Sequence, residues 1–521
     1  MSGISRRLLL RAAGVGAVAW GAAACTGSPE TQPTTNPATT MPPTAPPTTV
    51  PTTRPAPVPP DWDALRTRLD GALSLPADRG FTAAHRLYSP DFNSRTPVAV
   101  ARVATAEHVR ACVDIARDSR LPIAARSGGH SYAGYSAPDN GLVVDLRGMA
   151  AVRVAPDGTA TVQAGARLIE VYRALAAAGR CLPAGTCPSV GIAGLTLGGG
   201  IGVLTRKYGL TCDRLTAVRI VTADGVLRTA APDSEPDLFW ALRGGGGGNF
   251  GIATEFTFRT EPAPWVTTFA TAFPAGAAPE VFAAWQEWLP GSPAELWSTV
   301  SLSAGRRAHL SGCFIGTPAG LDPLLDNVIA RTGAKPTSRQ VVERSYLDAM
   351  LFYAGCTECS PDSVRRQTFT ASSRVLSTPV ADPTALAALL DGTSELDLLV
   401  DSLGGAVADV APADSAFPHR TALATVQVFQ SGHNPGAMTA VRDGLAALGV
   451  RDGYVNYIDP TMPDWAAAYY GANLPRLTTV AARYDPDAVF AFPRRSGPDR
   501  CGQARVPVTA AGPTGPSSAP R

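Results

Sequence analysis

The stretch Arg243–Pro262, RGGGGGNFGIATEFTFRTEP, decides which phosphate-binding folds are open to this chain. Gly246, Gly248 and Gly251 satisfy G-x-G-x-x-G, the spacing of a dinucleotide-binding turn. Such a turn must open a helix, because the helix N-terminus holds the pyrophosphate. Here IATEFTF follows, rich in β-branched and aromatic residues, and it reads as a strand. A Rossmann domain is therefore excluded, and a polyglycine loop feeding a sheet remains.

Two further glycine clusters lie upstream, Gly128–Gly134 in RSGGHSYAG and Gly191–Gly202 in GIAGLTLGGGIG. Three clusters are more than simple turns require. Peptide N–H groups presented by such loops form concavities suited to a pyrophosphate. No GxxxxGK[ST] occurs, which argues against an NTPase. Ser131 in GHSYA lacks the second glycine of a nucleophile elbow, which argues against a serine hydrolase.

The 521 residues divide by composition. Arg6-Arg7 ahead of a short apolar run read as a Tat export signal over residues 1–25, with Cys25 a candidate lipidation site. Residues 26–60 are almost entirely Thr, Pro, Ala and Ser, a spacer that cannot bury apolar surface. Residues 501–521 form a Gly/Pro/Ser-rich tail. The remaining length exceeds what one core usually holds, so two lobes are expected. A net charge of +2 gives no reason to expect nucleic acid, and a membrane tether would run only through the N-terminus. Neither a metal site nor an oligomeric state is signalled. Cys356 and Cys359, in GCTEC, are expected to form a disulfide with each other or with Cys313.

From Pro97 strand-like and helical stretches alternate. Val98–Val103 is a strand, and the following helix starts with Thr105 as N-cap and buries Val109, Cys112, Val113 and Ala116. GLVVDL, AAVRVA and ATVQAG are strands. ARLIEVYRALAAAG is a helix, and little regular structure is expected in CLPAGTCPSVGIAGLTLGGGIG. LTAVRIVTADGVLRTA is a hairpin. Residues 262–449 show longer helices and strands and no interpretable site motif. GYVNYIDP is a short strand whose alternation puts Tyr457 with Asp459 on one face and Tyr454 with Asn456 on the other. WAAAYYGANLPRLTTVAARYD reads as one helix folding back on the first lobe.

Taken in order, RSGGHSYAG, GTCPSVG, YVNYID, YYGANLPRL and DPDAVFAFP resemble the berberine bridge enzyme-like flavoprotein oxidases, of the vanillyl-alcohol oxidase (PCMH) FAD-binding type. The resemblance covers about Tyr88 to Pro493. It implies an α+β fold: a PCMH-type FAD-binding domain of two subdomains over 61–261 and a substrate domain of antiparallel sheet and helices over 262–449. A C-terminal segment over 450–500 would return to the FAD domain. It further implies that His130 bonds to the 8α-methyl of FAD and Cys187 to flavin C6. Arg126, Ser127, Gly128, Gly129, Ser131, Gly134, Val190, Gly191, Gly194, Gly251, Ile252, Tyr454 and Asn456 would complete the cofactor site. Leu195 stands where the plant enzyme has a ribityl-binding histidine, a departure from the pattern.

Oxidation of a substrate alcohol needs a base for the hydroxyl proton as hydride leaves for the flavin. By resemblance Tyr457 is that base and Tyr132 lies beside the substrate. Gln427 matches the catalytic glutamate of the plant alkaloid enzyme; an amide cannot act as a base, so it orients the substrate or a tyrosine. His419-Arg420 is read as structural. Val190, three residues after Cys187, matches the valine of members that react with O2. The expectation is an exported FAD oxidase, extracellular or at the cell surface, that converts an alcohol of a sugar, oligosaccharide or hydroxylated secondary metabolite to a carbonyl and makes hydrogen peroxide. The alternatives are a dehydrogenase with another acceptor and a surface-tethered binding protein.

Overall fold

The computed structural model describes residues 56–360 and 363–496; residues 1–25, read above as an export signal with Cys25, most of the Thr/Pro spacer and the C-terminal tail lie outside the described residues. Thr105 caps the helix Ala106–Ser119 through its hydroxyl, which accepts from the His108 N–H at 3.2 Å. That helix buries Val109, Cys112, Val113 and Ala116 and connects two strands of a four-stranded sheet, Ala99–Arg102 and Ile123–Arg126. Both pair in parallel with Leu142–Asp145, whose four residues are all buried, as a parallel strand covered on both faces requires. The RSGGHSYAG turn leaves the C-terminal end of Ile123–Arg126, the end of a parallel strand at which ligands of open sheets are bound.

The strand expected after the polyglycine loop is Ile252–Arg259. It lies at the centre of a five-stranded antiparallel sheet, between Thr159–Gln163 and Leu215–Val221. Phe256 and Phe258 are fully buried there, each contributing about 2–3 kcal/mol of burial. The hairpin partner Leu227–Ala230 closes one edge.

The second lobe is a seven-stranded antiparallel sheet in the order 338–344, 266–272, 307–314, 296–303, 396–402, 424–431, 369–376. Its strands alternate strictly. Val300, Leu302, Leu310, Leu398, Val400, Val426 and Val428 point into a core filled by Phe282 and Trp285, Leu321 and Leu325, and Val441 and Leu445 from three helices on one face. The intervening residues Thr299, Ser301, His309, Ser311, Asp397, Asp401 and Gln427 line the cavity on the other face. A half-polar sheet face is what period-two alternation encodes.

Residues 453–490 return to the first lobe, where Tyr469, Tyr470, Leu477 and Val480 share a core with Val218 and Phe256. Three local expectations are corrected. The glycine-rich passage contains a short helix, Ile192–Leu197, because Ile192 and Leu197 find core partners that local composition does not reveal. The helix expected over WAAAYYGANLPRLTTVAARYD breaks into Trp465–Tyr470 and Leu474–Tyr484, since Gly471 takes φ +48° and Pro475 can start but not continue a helix. YVNYID is a 3-10 turn over Val455–Tyr457, not a strand.

Candidate active site

Two glycine loops are locked back to back. A Cβ on Gly128 would sit 2.3 Å from the Gly191 nitrogen, and one on Gly191 would sit 2.0 Å from Ser127 Oγ. Only glycine permits that approach. Ser127 Oγ fixes the first loop by donating to the Ala164 carbonyl at 2.6 Å. The polyglycine loop turns through positive φ at Gly244, Gly246, Gly248 and Gly251, and Asn249 clips it by donating to the Gly245 carbonyl at 2.9 Å.

In front of these loops lies a cavity of about 1210 Å³, larger than the roughly 300–1,000 Å³ of ordinary small-molecule pockets. Gly194 faces it with nothing within 4 Å of where a Cβ would stand, and Gly247 meets nothing closer than 3.8 Å. Ser127, Gly128, Gly129, His130, Ser131 and Tyr132 line it from the first loop; Cys187, Val190, Gly191 and Gly194 from the second; Gly251 and Ile252 from the third. Tyr454, Asn456 and Tyr457 line it from the C-terminal segment, and Gln427 from the second lobe. Arg366 ties the lobes together beside it, donating to the Leu87 carbonyl at 2.7 Å and to Asn93 Oδ1 at 2.6 Å.

Two expected site residues stand apart. The Arg126 side chain is 1 % exposed and turns away to Asp145 Oδ2, 2.9 Å, and the Ala84 carbonyl, 2.6 Å. Its work is to anchor the start of the turn. Gly134 is a turn glycine at φ +70°, where a Cβ would strike the Phe92 ring at 2.5 Å.

His130 is held on two sides. Tyr88 stacks on its ring at 3.9 Å between centroids, and its Nε2 lies 2.9 Å from Ser189 Oγ. Burial, assisted by the Arg167 cation, pulls its pKa down to about 3, so the ring is neutral near pH 7. Ser189 Oγ also lies 3.8 Å from Cys187 Sγ. Cys181 and Cys187 are both free thiols, and Cys356 pairs with Cys359 while Cys313 stays buried and free.

In the same cavity Tyr132 and Tyr457 stack in parallel, 5.3 Å apart with planes 2° from parallel. Gln427 Nε2 donates to Tyr132 Oη at 2.5 Å. Tyr454 meets Tyr457 edge-on at 5.1 Å, since residues three apart fall on one face of a 3-10 turn. Asp459 does not share a face with Tyr457. It is fully buried and accepts from Ser372 Oγ, Arg442 Nη1 and the Thr461 N–H, each at 2.7 Å. Tyr454 is also buried, its hydroxyl accepting from the Gly200 N–H at 2.9 Å and from Asn456 Nδ2 at 2.8 Å. Arg420 is bidentate to Asp213 at 2.7 and 2.8 Å, a structural ion pair.

Sequence reasoning missed Tyr88, Ser189 and the polar face of the second lobe. The LDLLVDS alternation of 396–402 was the available signal for Asp397 and Asp401. Tyr135 Oη, Trp297 Nε1 and Thr299 Oγ1 are buried on the cavity wall with no hydrogen-bond partner among the described residues. Orphaned polar atoms and open glycines lining one cavity fit a large polar ligand. The residues present therefore fit FAD.

Residues 97–231 match the sequence family described as FAD binding domain, and residues 453–494 the family described as berberine and berberine like. The chain is 36% identical over 403 residues to the uncharacterized FAD-linked oxidoreductase YgaK of Bacillus subtilis, covering 74% of this chain and 88% of that one. It is 34% identical to a xylooligosaccharide oxidase of Thermothelomyces thermophilus, covering 78% and 89%. Its fold is similar to that of the solved glucooligosaccharide oxidase of Acremonium strictum, described as carrying a 6-S-cysteinyl, 8α-N1-histidyl FAD. The TM-score is 0.77 at 27% identity, over 83% of this chain and 99% of that one.

Proposed function

The chain belongs to the berberine bridge enzyme-like FAD-linked oxidoreductases, and from that premise we propose that it is an exported, covalently flavinylated oxidase of carbohydrate alcohols. It is an FAD-dependent oxidoreductase. The finer reading rests on one observation: the cavity lined by His130 and Cys187 is also lined by the Tyr132–Tyr457 stack and by a polar sheet face.

Bound there, FAD would accept a hydride from the substrate carbon and pass the electrons to dioxygen. His130 and Cys187 are the side chains that would bond to it, and Gly194 and Gly247 leave room for it. Tyr457, acting as the phenolate, would take the substrate's hydroxyl proton at Oη and become the neutral phenol. Tyr132, fixed by Gln427 from the second lobe, keeps the Tyr457 ring in register by stacking. Asp459 and Arg442, paired at 2.7 Å, hold the 3-10 turn from beneath.

The wall supports a carbohydrate as the substrate class. Thr299, Ser301, Ser311, Asp397 and Asp401 offer hydroxyls and carboxylates to a polyhydroxylated ligand, and Phe369 and Phe429 offer ring faces. A largely apolar metabolite would leave Thr299 Oγ1 and Trp297 Nε1 on this wall unsatisfied. The xylooligosaccharide oxidase relative acts, by its name, on such a ligand. Val190 on the cavity wall supports dioxygen as acceptor, and the N-terminal twin arginines support export.

The test is acid precipitation of the purified protein followed by a screen of mono- and oligosaccharides for peroxide release. Flavin in the pellet and peroxide formed with equal oxygen uptake are expected. Turnover with an artificial electron acceptor but without oxygen uptake would move the assignment to a dehydrogenase.

A further inference from the structure

The two side chains that would anchor FAD are joined by a third that carries no role so far. Ser189 is 6 % exposed, and its hydroxyl sits between His130 Nε2 at 2.9 Å and Cys187 Sγ at 3.8 Å. Among the described residues no other protein group hydrogen-bonds either atom. His130 Nδ1 has no hydrogen-bond partner among the described residues, and the ring is fixed in its plane by the Tyr88 stack.

One hydroxyl can serve both neighbours in only one productive sense. If Nε2 carries the proton and donates to Ser189 Oγ, then Nδ1 keeps its lone pair and is the nucleophilic nitrogen. The serine O–H is then free to donate to the sulfur, and a hydrogen bond to a thiolate favours the thiolate. The reverse tautomer would leave Nδ1 protonated and without nucleophilicity, and would turn the serine proton away from the sulfur.

We propose that Ser189 is the positioning residue for covalent flavin attachment, selecting the His130 tautomer that attacks through Nδ1 and supporting the Cys187 thiolate. The proposal rests on the covalent reading above. Attachment at histidine breaks the imidazole N–H and one C–H of the flavin 8α-methyl and forms one N–C bond. Attachment at cysteine breaks the S–H and the flavin C6–H and forms one S–C bond. Each bond releases two hydrogens, which one dioxygen takes up as one hydrogen peroxide. The neutral state of the imidazole is consistent with this role.

Ser189→Ala, Ser189→Val and Ser189→Thr test it. Valine and threonine share a shape and differ in the hydroxyl, so their comparison stands whether or not the alanine variant folds well. The readouts are the flavin retained in the acid pellet and the masses of proteolytic flavopeptides, taken at a fixed time after expression, with thermal unfolding as a fold control. Wild type and Ser189→Thr should give one flavin linked to both the His130 and Cys187 peptides. In Ser189→Val and Ser189→Ala that doubly linked species should fall at least about tenfold, the effect of losing one hydrogen bond to a reacting group. Doubly linked flavin at the wild-type level in the valine variant would overturn the role of Ser189. Wild-type protein that releases its flavin in acid would instead overturn the covalent reading on which it rests.

Discussion

Gly194 offers a perturbation that separates folding from flavin binding. It is an interior position of the helix Ile192–Leu197, has no positive φ, and has nothing within 4 Å of a built Cβ. Gly194→Ala should therefore stabilise the flavin-free protein by about 0.5–1 kcal/mol, because glycine carries the larger unfolded-state entropy. Gly194→Leu has the same open space to fill, but that space is the cavity facing His130 and Cys187. If FAD lies there, the isobutyl group overpacks the complex at a cost of about 1–3 kcal/mol, roughly a 5- to 150-fold loss of binding. The contrast is Gly128→Ala, whose Cβ would stand 2.3 Å from the Gly191 backbone nitrogen and unlock the two loops. The assay is the ratio of flavin to protein absorbance in purified protein, beside thermal unfolding. The expected pattern is Gly194→Leu folded but depleted of flavin, and Gly128→Ala unstable. Full flavin content in Gly194→Leu would refute the assignment of the cradle.

Tyr457→Phe keeps the stack on Tyr132 and removes the proposed proton acceptor; flavin content should be unchanged while the rate of flavin reduction by substrate in stopped flow falls about 10²–10⁴-fold. Gln427→Leu removes the 2.5 Å hydrogen bond to Tyr132 Oη, and kcat/KM for peroxide release should fall by up to about tenfold, well short of the Tyr457 effect. Burial alone would raise the Asp145 carboxyl, but Arg147 and Arg126 hold it down to about 2. Because that value lies below that of an unfolded aspartate, near 3.9, its contribution of about 2–3 kcal/mol is complete above about pH 5 and is lost as pH falls toward 2. Denaturant melts at a series of pH values should show that loss in wild type and a weaker one in Asp145→Asn, which is destabilised already at pH 7 because Arg126 is left buried and unpaired.

Much of this was legible locally. The Thr105 cap and the buried positions of the helix Ala106–Ser119 follow from spacing, and so does the strand after the polyglycine loop. His130, Cys187, Tyr132, Tyr457 and Gln427 were named from motifs, and the fold brings all of them to one cavity. The misreadings have a common cause. YVNYID alternates like a strand, yet Asp459 is drawn into the buried ion pair with Arg442, and that contact bends the segment into a 3-10 turn. Arg126 belongs to a motif that borders the cavity, yet Asp145, 19 residues on, takes its guanidinium inward.

The sequence by itself determined the loops and the faces: where glycine frees the backbone, where period two makes one sheet face polar, and which folds the Gly246–Gly251 context excludes. These depend on neighbours a few residues apart, so local order specifies them. Only the tertiary structure decided the pairings that make a site. Gln427 reaches Tyr132 across 295 residues, and Ser189 reaches His130 across 59. Such contacts are set by where two packed cores meet, and the orientation of a hydroxyl between two side chains has no period for a sequence to display.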